Sequence, residues 1–282
     1  MIIFKESTSL AKYLATQKIK ATILGFVPTM GALHDGHLSL ITLSKKKTDI
    51  TVCSIFINPT QFGNSEDFKK YPMTLDADII ELEKAECDVL FVPAVTEIYP
   101  NGFYNPGTYN LGEIEFLLEG AHRPGHFQGV CQVVEQLLRI VEPDTLFLGQ
   151  KDFQQTLVIK KMIALRAINV QVVIGPTERM TSGLAMSSRN MRLTNDGIKK
   201  AAAIYEMLIY IKQQITLQPI TKLEDHATRY LLNNGFGSVD YVSVVSIADL
   251  KPVSTLKQCR QLLLVIAATI GRVRLIDNMM LD

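Results

Sequence analysis

Pro28-Thr29-Met30-Gly31-Ala32-Leu33-His34-Asp35-Gly36-His37 is the stretch that decides how the chain reads. Upstream, Ala21-Thr22-Ile23-Leu24-Gly25-Phe26-Val27 is a short apolar run, read as a buried strand closed by the proline. Downstream, Leu38-Ser39-Leu40-Ile41-Thr42-Leu43 is apolar at helical spacing and runs into Lys45-Lys46-Lys47, cations that suit a helix C-terminus. A strand therefore enters a glycine-punctuated turn, and a helix begins near His37. In an open α/β sheet such a junction attracts anions, because the first N–H groups of a helix lack intrahelical partners and its dipole is positive there. Gly31 and Gly36 let backbone approach a ligand where a Cβ would stand in the way. His34 and His37 can face one pocket if the turn is tight; the plain alternative is a polar turn with two solvated histidines.

Outward from this motif, strands alternate with helices. Ile2-Ile3-Phe4 reads as a strand, followed by a helix with Ser7 or Thr8 as its N-cap. Asp49 to Asn58 is a β-branched run that ends in Pro59-Thr60-Gln61-Phe62-Gly63. Ligands sit at the carboxyl ends of such strands, so Asn58 and Gln61 stand ready to hydrogen-bond a substrate, or simply to build the turn. Thr74 to Glu86 reads as a helix with Asp76 and Asp78 in its first turn; acids there partner the helix dipole, and Asp78 is also a candidate magnesium contact. Val89 to Pro93 is a third strand.

A loop rich in Gly, Asn, Pro and Tyr then delivers Arg123-Pro124-Gly125-His126 to a helix marked by Val130, Val133, Val134, Leu137, Leu138 and Val141. Arg123 and His126 form a second place for anion contacts, or else a surface arginine and a capping histidine. Asp144 to Leu148 is a fourth strand with Gly149-Gln150-Lys151-Asp152 at its end, where a lysine suits a phosphate. Gln154 and Gln155 open the next helix, read from Phe153 to Asn169, and Val170 to Ile174 is a fifth strand. Strands separated by helices imply parallel βαβ units with right-handed crossovers, hence a Rossmann-like sheet.

Past Gly175-Pro176 the pattern changes. Ser182-Gly183-Leu184-Ala185-Met186-Ser187-Ser188-Arg189-Asn190 is a small-residue loop whose arginine and hydroxyls can close over phosphates. Helices are read from Thr194 to about Ile215 and from Thr221 to Asn234, with Gly235 as a stop. Val239–Val245, Leu262–Ala268 and Val273–Ile276 read as a small antiparallel sheet. Two domains follow: residues 1–176, an α/β Rossmann-like fold, and residues 177–282, a smaller α+β lid hinged near Pro176.

The bulk properties exclude several classes. With 282 residues and 47% hydrophobic residues the chain can bury a sizeable core. Lys and Arg number 29 against 28 Asp and Glu, too even for a broad nucleic-acid footprint. The four cysteines, at 53, 87, 131 and 259, form no C-x-x-C pair and suit a reducing cytoplasm. The N-terminus lacks a signal-peptide pattern, and no window approaches a membrane span. No Walker A motif, strand-following G-x-G-x-x-G or H-E-x-x-H occurs.

Five segments, PTMGALHDGH (28–37), FINPTQFG (56–63), RPGHFQGV (123–130), FLGQKDFQQ (147–155) and GLAMSSRN (183–190), resemble the pantothenate synthetase (pantoate–β-alanine ligase) family in order and spacing. In that family HDGH and MSSRN look like the signatures of class I aminoacyl-tRNA synthetases, which also activate a carboxylate with ATP. The resemblance implies a nucleotidyltransferase-type fold, a cytoplasmic homodimer, and Mg-ATP, (R)-pantoate and β-alanine as ligands. It implies a pantoyl-adenylate intermediate with release of pyrophosphate and then AMP. It makes His34, His37, Lys151 and Arg189 the catalytic set, contacting the nucleotide phosphates together with Ser187 and Ser188. Met30, Gly31, Ala32, Leu33, Asp35, Gly36, Gly149, Gln150, Asp152, Glu178 and Met186 complete the implied ATP site. Gln61 and Gln155 would hold pantoate, with Asn58, Arg123 and His126 close by.

In the family the residue matching His37 is taken as a proton donor; hydrogen bonding to phosphate is the better chemistry, since pyrophosphate leaves without a strong general acid. Two positions depart from the pattern. Thr181-Ser182 stands before Gly183 where Asp-Gly is common, and Ala77 stands where a second acid often precedes Asp78. The rival readings are a related nucleotidyltransferase that adenylylates a phosphate ester and stops, and a non-catalytic nucleotide sensor or RNA-binding module. Amine-dependent AMP release separates the first from a ligase, and tight ATP binding without turnover would mark the second.

Overall fold

The computed structural model describes residues 1–62, 68, 71–103, 108–258 and 261–281. Gly63 of the second motif and Cys259 lie outside the described residues. The chain divides into two compact units, residues 1–149 with 154–176, and residues 150–153 with 177–282. Among the described residues no helix is long and apolar enough to cross a membrane.

The first unit is built on β1 (Ile2–Phe4), β2 (Leu24–Thr29), β3 (Ile50–Ile55), β4 (Val89–Phe91), β5 (Thr145–Gly149) and β6 (Gln171–Gly175). They form one six-stranded parallel sheet in the order β1-β4-β3-β2-β5-β6. Helices α1 (Ser7–Lys18), α2 (Asp35–Lys45), α3 (Leu75–Lys84), α4 (Val95–Ile98), α5 (Glu119–His122), α6 (His126–Val141) and α7 (Phe153–Leu165) connect the strands. The Rossmann-like α/β sheet read from the sequence is the one observed. β4 is buried along its whole length and β3 at every residue after Ile50, as a sheet covered on both faces requires. The apolar stripe of α6 buries Val130, Val133, Val134, Leu137, Leu138 and Val141 in the same core as Leu10, Phe26 and Phe91. Burial of each such side chain contributes roughly 1.5–3 kcal/mol.

Chain order reverses between β2 and β5. Their pairing covers Gly25↔Thr145 and Phe26↔Leu146, while β2 continues to Thr29 and β5 to Gly149. A crevice at the carboxyl ends of such a switch point is where open α/β sheets bind ligands. The sequence reading closed β2 before Pro28, but the strand runs through it, with Pro28 opposite Ser54 of β3. Phe56 N donates to Thr29 O at 3.1 Å, so by alternation the Pro28 nitrogen faces β5, beyond the paired part of that edge. The missing N–H therefore costs no ladder bond.

Other boundaries shift slightly. α1 has Glu6 at its N-cap, and Ser7 is inside the helix, donating from its backbone N and its hydroxyl to Glu97 Oε2, both at 2.7 Å. α2 starts at Asp35, two residues before the position read from the sequence.

The second unit contains α8 (Asn195–Ala201), α9 (Ala203–Gln214) and α10 (Ile220–Asn233) with β7 (Ser238–Ser246), β8 (Leu262–Ile270) and β9 (Val273–Leu281). The strands form an antiparallel sheet in the order β7-β8-β9. The single helix read from Thr194 is interrupted at Ala202, and β9 runs five residues past Ile276, where the sequence reading stopped it. Gly235, at φ +90°, ends α10 as the sequence suggests.

Candidate active site

In the first unit the 30–37 turn is held by a set of hydrogen bonds within the protein. Gly31 and Ala32 adopt φ of +79° and +49°, folding the chain back at the end of β2. Thr29 Oγ1 donates to Ser54 O at 2.7 Å and accepts Gly31 N at 3.2 Å. Asp78, only 3% exposed, reaches across from α3 and accepts Ala32 N at 2.9 Å and Leu33 N at 2.8 Å. Thr74 Oγ1 donates to the same carboxylate at 3.1 Å. Its negative charge sits against the backbone donors of the turn, which fixes the turn's shape.

This arrangement does not suit the magnesium role read from the sequence. Both Asp78 oxygens face the turn, and among the described residues no group of three or more His, Cys, Asp or Glu could hold a metal.

His34 is the N-cap of α2, in extended backbone, and its Nδ1 accepts Gly36 N at 3.2 Å. A neutral His34 ring that accepts at Nδ1 carries its proton on Nε2, as a donor. His37 N donates to His34 O at 2.7 Å, and the two rings lie 4.1 Å apart between centroids. One helix turn thus sets both imidazoles side by side at the positive end of α2. Gly36 lies inside the helix, so of the two motif glycines only Gly31 uses a conformation that favours glycine.

A second cluster lies at the end of β3. Asn58 is 1% exposed and fully engaged: Nδ2 donates to Gln61 Oε1 at 3.2 Å and Gly129 O at 3.1 Å. Its Oδ1 accepts Tyr99 Oη at 2.8 Å and Thr60 Oγ1 at 3.0 Å. Asn58 therefore shapes the wall of this cluster and presents Gln61. His126 Nδ1 donates to Gln61 O at 2.7 Å, which leaves Nε2 of a neutral ring to accept Arg123 Nη1 at 3.1 Å. Gln61 Nε2 lies 2.8 Å from Met30 Sδ, joining the cluster to the 30–37 turn. Close approach of α6 makes this possible, since a Cβ on Gly129 would stand 2.4 Å from Thr60 O.

The helix opening at Phe153 separates its two glutamines. Gln154 is buried and spent on the scaffold, accepting Glu119 N at 3.0 Å and donating to Ile114 O at 2.7 Å and Leu117 O at 2.8 Å. Gln155 is half-buried.

In the second unit Gln150–Asp152 forms one turn of 3-10 helix, and Lys151 Nζ lies 3.4 Å from Asp152 Oδ1. The loop of small residues is a tight hairpin: Met180 N donates to Leu184 O and Met186 N to Glu178 O, both at 2.9 Å. It ends in a 3-10 turn, Ser188–Arg192, with Ser187 as N-cap; Ser187 Oγ accepts Arg189 N at 3.2 Å and keeps its proton to donate.

The structure thus joins Met30 with Gln61, and Asn58, Gln61, Arg123 and His126 with one another, inside the first unit. Sequence reasoning missed Thr29, Tyr99 and the bracing role of Asp78. For Asp78 a signal existed: an acid in a first turn whose neighbours Leu75, Ile79 and Leu82 are apolar is turned toward the interior.

The whole chain is also similar to known proteins. The family model described as pantoate-beta-alanine ligase matches residues 2–280. The chain is 42% identical over 284 residues to pantothenate synthetase of Cytophaga hutchinsonii, covering 100% of this chain and 99% of that one. It is 41% identical over 284 residues, with the same coverage, to pantothenate synthetase of Carboxydothermus hydrogenoformans. The crystal structure of pantothenate synthetase from Thermus thermophilus superposes with a TM-score of 0.92 at 36% identity, covering 99% of both chains. The pantoate-beta-alanine ligase of Francisella tularensis, complexed with beta-gamma ATP and beta-alanine, gives 0.82 at 38% identity, covering 99% of this chain and 97% of that one.

Proposed function

The chain belongs to the pantoate-beta-alanine ligase family, and from that premise we propose that it joins (R)-pantoate to β-alanine through pantoyl adenylate. A carboxylate is a poor electrophile until one of its oxygens becomes part of a good leaving group. In the first step a pantoate carboxylate oxygen attacks the α-phosphorus of ATP and the bond to pyrophosphate breaks. In the second the β-alanine amine attacks the acyl carbon, the bond to AMP breaks, and the nitrogen loses a proton to give the amide.

The observation that carries this reading is the Gln61–Met30 contact of 2.8 Å. It ties a cluster of amide, arginine and imidazole, chemistry suited to an acid, to a helix N-terminus suited to phosphate. Gln61, with Arg123 and His126 behind it, and Gln155 orient pantoate. His34 and His37 donate to phosphate oxygens on which charge builds as pyrophosphate leaves. By the family resemblance Lys151, Ser187, Ser188 and Arg189, all in the second unit, also contact ATP phosphates. Positioning and charge neutralisation carry the rate, with little acid–base work by the protein. Magnesium, bound with the nucleotide, would neutralise phosphate charge, and such an ion needs few protein ligands. A cytoplasmic homodimer without a nucleic-acid partner completes the reading; the family supports the dimer, and the even charge balance argues against RNA.

Isotope exchange tests it. Labelled pyrophosphate should enter ATP only when pantoate is present, and AMP should appear only after β-alanine is added. Exchange without pantoate, or AMP release without the amine, would refute the assignment. Lys151→Ala and His37→Ala should each lose most of the exchange rate with the fold intact.

A further inference from the structure

β9 carries two buried polar residues, Asp277 and Asn278, each 4% exposed; Asp277 falls on the face of Val273 and Leu275, where alternation calls for an apolar side chain, and Asn278 on the opposite face. Asn278 Nδ2 donates to two consecutive carbonyls, Gln150 O at 3.0 Å and Lys151 O at 2.8 Å. Its Oδ1 in turn accepts Gln150 Nε2 at 3.4 Å. Two bonds to adjacent peptide units fix the backbone from which the Lys151 side chain departs. These contacts bind residues 150–153 to the C-terminal strand, although in sequence they follow β5.

Asp277 does the corresponding work for the hairpin. Arg179 grips its carboxylate with both terminal nitrogens, Nη2 to Oδ1 at 3.0 Å and Nη1 to Oδ2 at 2.5 Å. Arg179 Nη1 also donates to Gly183 O at 3.0 Å, and the guanidinium lies 4.4 Å over the Tyr205 ring. Arg179 pairs with Ala185 across the hairpin that leads into Ser187-Ser188-Arg189. Asp277 Oδ1 accepts Asn278 N at 2.8 Å, which couples the two anchors.

A buried ion pair is a weak source of stability, because desolvating two charges offsets their attraction. Burial pushes the Asp277 carboxyl up, against the pull of Arg179. What the pair supplies is fixed geometry.

We propose that Asp277 and Asn278 are positioning residues for adenylation, presenting the Lys151 turn and the Arg189 loop from one strand. The inference rests on the phosphate roles assigned above to Lys151 and Arg189. Neither β9 residue touches substrate; each acts through backbone that it holds.

Pantoate-dependent ATP–pyrophosphate exchange in the full-length protein tests this through double-mutant cycles. Asn278→Ala should lower the exchange rate roughly 10- to 100-fold, the scale expected when a reacting group is displaced by about 1 Å. The Asn278→Ala/Lys151→Ala double variant should then be no slower than Lys151→Ala alone, because a lysine already removed cannot be mispositioned. Asp277→Asn with Arg189→Ala gives the same test at the hairpin, and stands by itself if Asn278→Ala does not fold. Effects that multiply in both cycles, or single β9 variants at the wild-type rate, overturn the inference while leaving the roles of Lys151 and Arg189 intact. Lys151→Ala and Arg189→Ala proteins that exchange at the wild-type rate overturn those roles and the inference with them.

Discussion

The carboxylate of Asp78 accepts the backbone N–H of Ala32 at 2.9 Å, so a residue on α3 sets the shape of the turn at the end of β2. Ala32 is in left-handed backbone at φ +49°, which is uncommon for alanine, and this bond with its neighbour to Leu33 holds it there.

Asp78→Asn keeps the size of the side chain but turns one acceptor into a donor facing an N–H. The unmet donor should cost about 1–3 kcal/mol. Urea denaturation should show a lower midpoint with an unchanged slope, and pantoate-dependent exchange should fall because His34 and His37 follow this turn.

Gly31→Ala puts a side chain on a residue at φ +79°, with its Cβ 3.0 Å from Asp78 Oδ2 and 3.1 Å from Ile55 Cγ2. Gly102 has nearly the same φ, +77°, but open space around it. Gly102→Ala should therefore cost only the left-handed backbone term, roughly 1–2 kcal/mol. Gly31→Ala should cost more. Equal losses in thermal unfolding would show that the turn relaxes around the methyl group.

Glu135, buried on α6, accepts Tyr109 Oη at 2.5 Å, Arg139 Nη2 at 2.7 Å and Arg166 Nε at 3.0 Å. Burial alone would raise its carboxyl, but these donors outweigh burial and hold it below the ordinary carboxylate range. A depressed carboxylate contributes stability above its unfolded pKa and loses it as pH falls through the folded value. Wild type should thus outlast Glu135→Gln at pH 7, with the margin shrinking in acid below the ordinary Glu range. A margin that is constant with pH would remove the charge from the account.

Cys53, Cys87 and Cys131 are buried in the first unit. Burial pushes Cys87 up to about 11 and Cys131 to about 12, and raises Cys53 as well. Thiolate is the reactive form, so fewer than roughly 1 in 100 of the Cys87 and Cys131 thiols is reactive at pH 8, and the raised Cys53 thiol is disfavoured in the same sense. In a Cys259→Ser background, iodoacetamide should leave the native protein unlabelled and label three thiols after denaturation. Rapid native labelling would show that this part of the core opens.

The sheet was legible because each parallel strand is a short, β-branched apolar run ended by Gly, Pro or Asn, as in Asp49 to Asn58. The histidine turn was legible from its glycine spacing. Missed features rest on contacts distant in sequence. Pro28 looked like a strand end because nothing local shows that the β2 edge facing β5 is unpaired beyond Phe26. For Asp78 and Asn58, composition does not reveal which neighbouring groups the side chain bonds: Ala32 and Leu33 for Asp78, Gly129 for Asn58. From sequence β9 reads only to Ile276, where the polar Asp277 and Asn278 interrupt its apolar run; their partners, Arg179 and Lys151, lie about 100 residues or more earlier.

The central claim is that pantoate is activated as an acyl adenylate. Pantoate labelled with oxygen-18 in its carboxylate, turned over with ATP and β-alanine, decides it by mass spectrometry of the nucleotide product. One labelled oxygen should appear in AMP, because the oxygen that attacked the α-phosphorus leaves with the nucleotide. Unlabelled AMP, or ADP with labelled phosphate, would contradict the account.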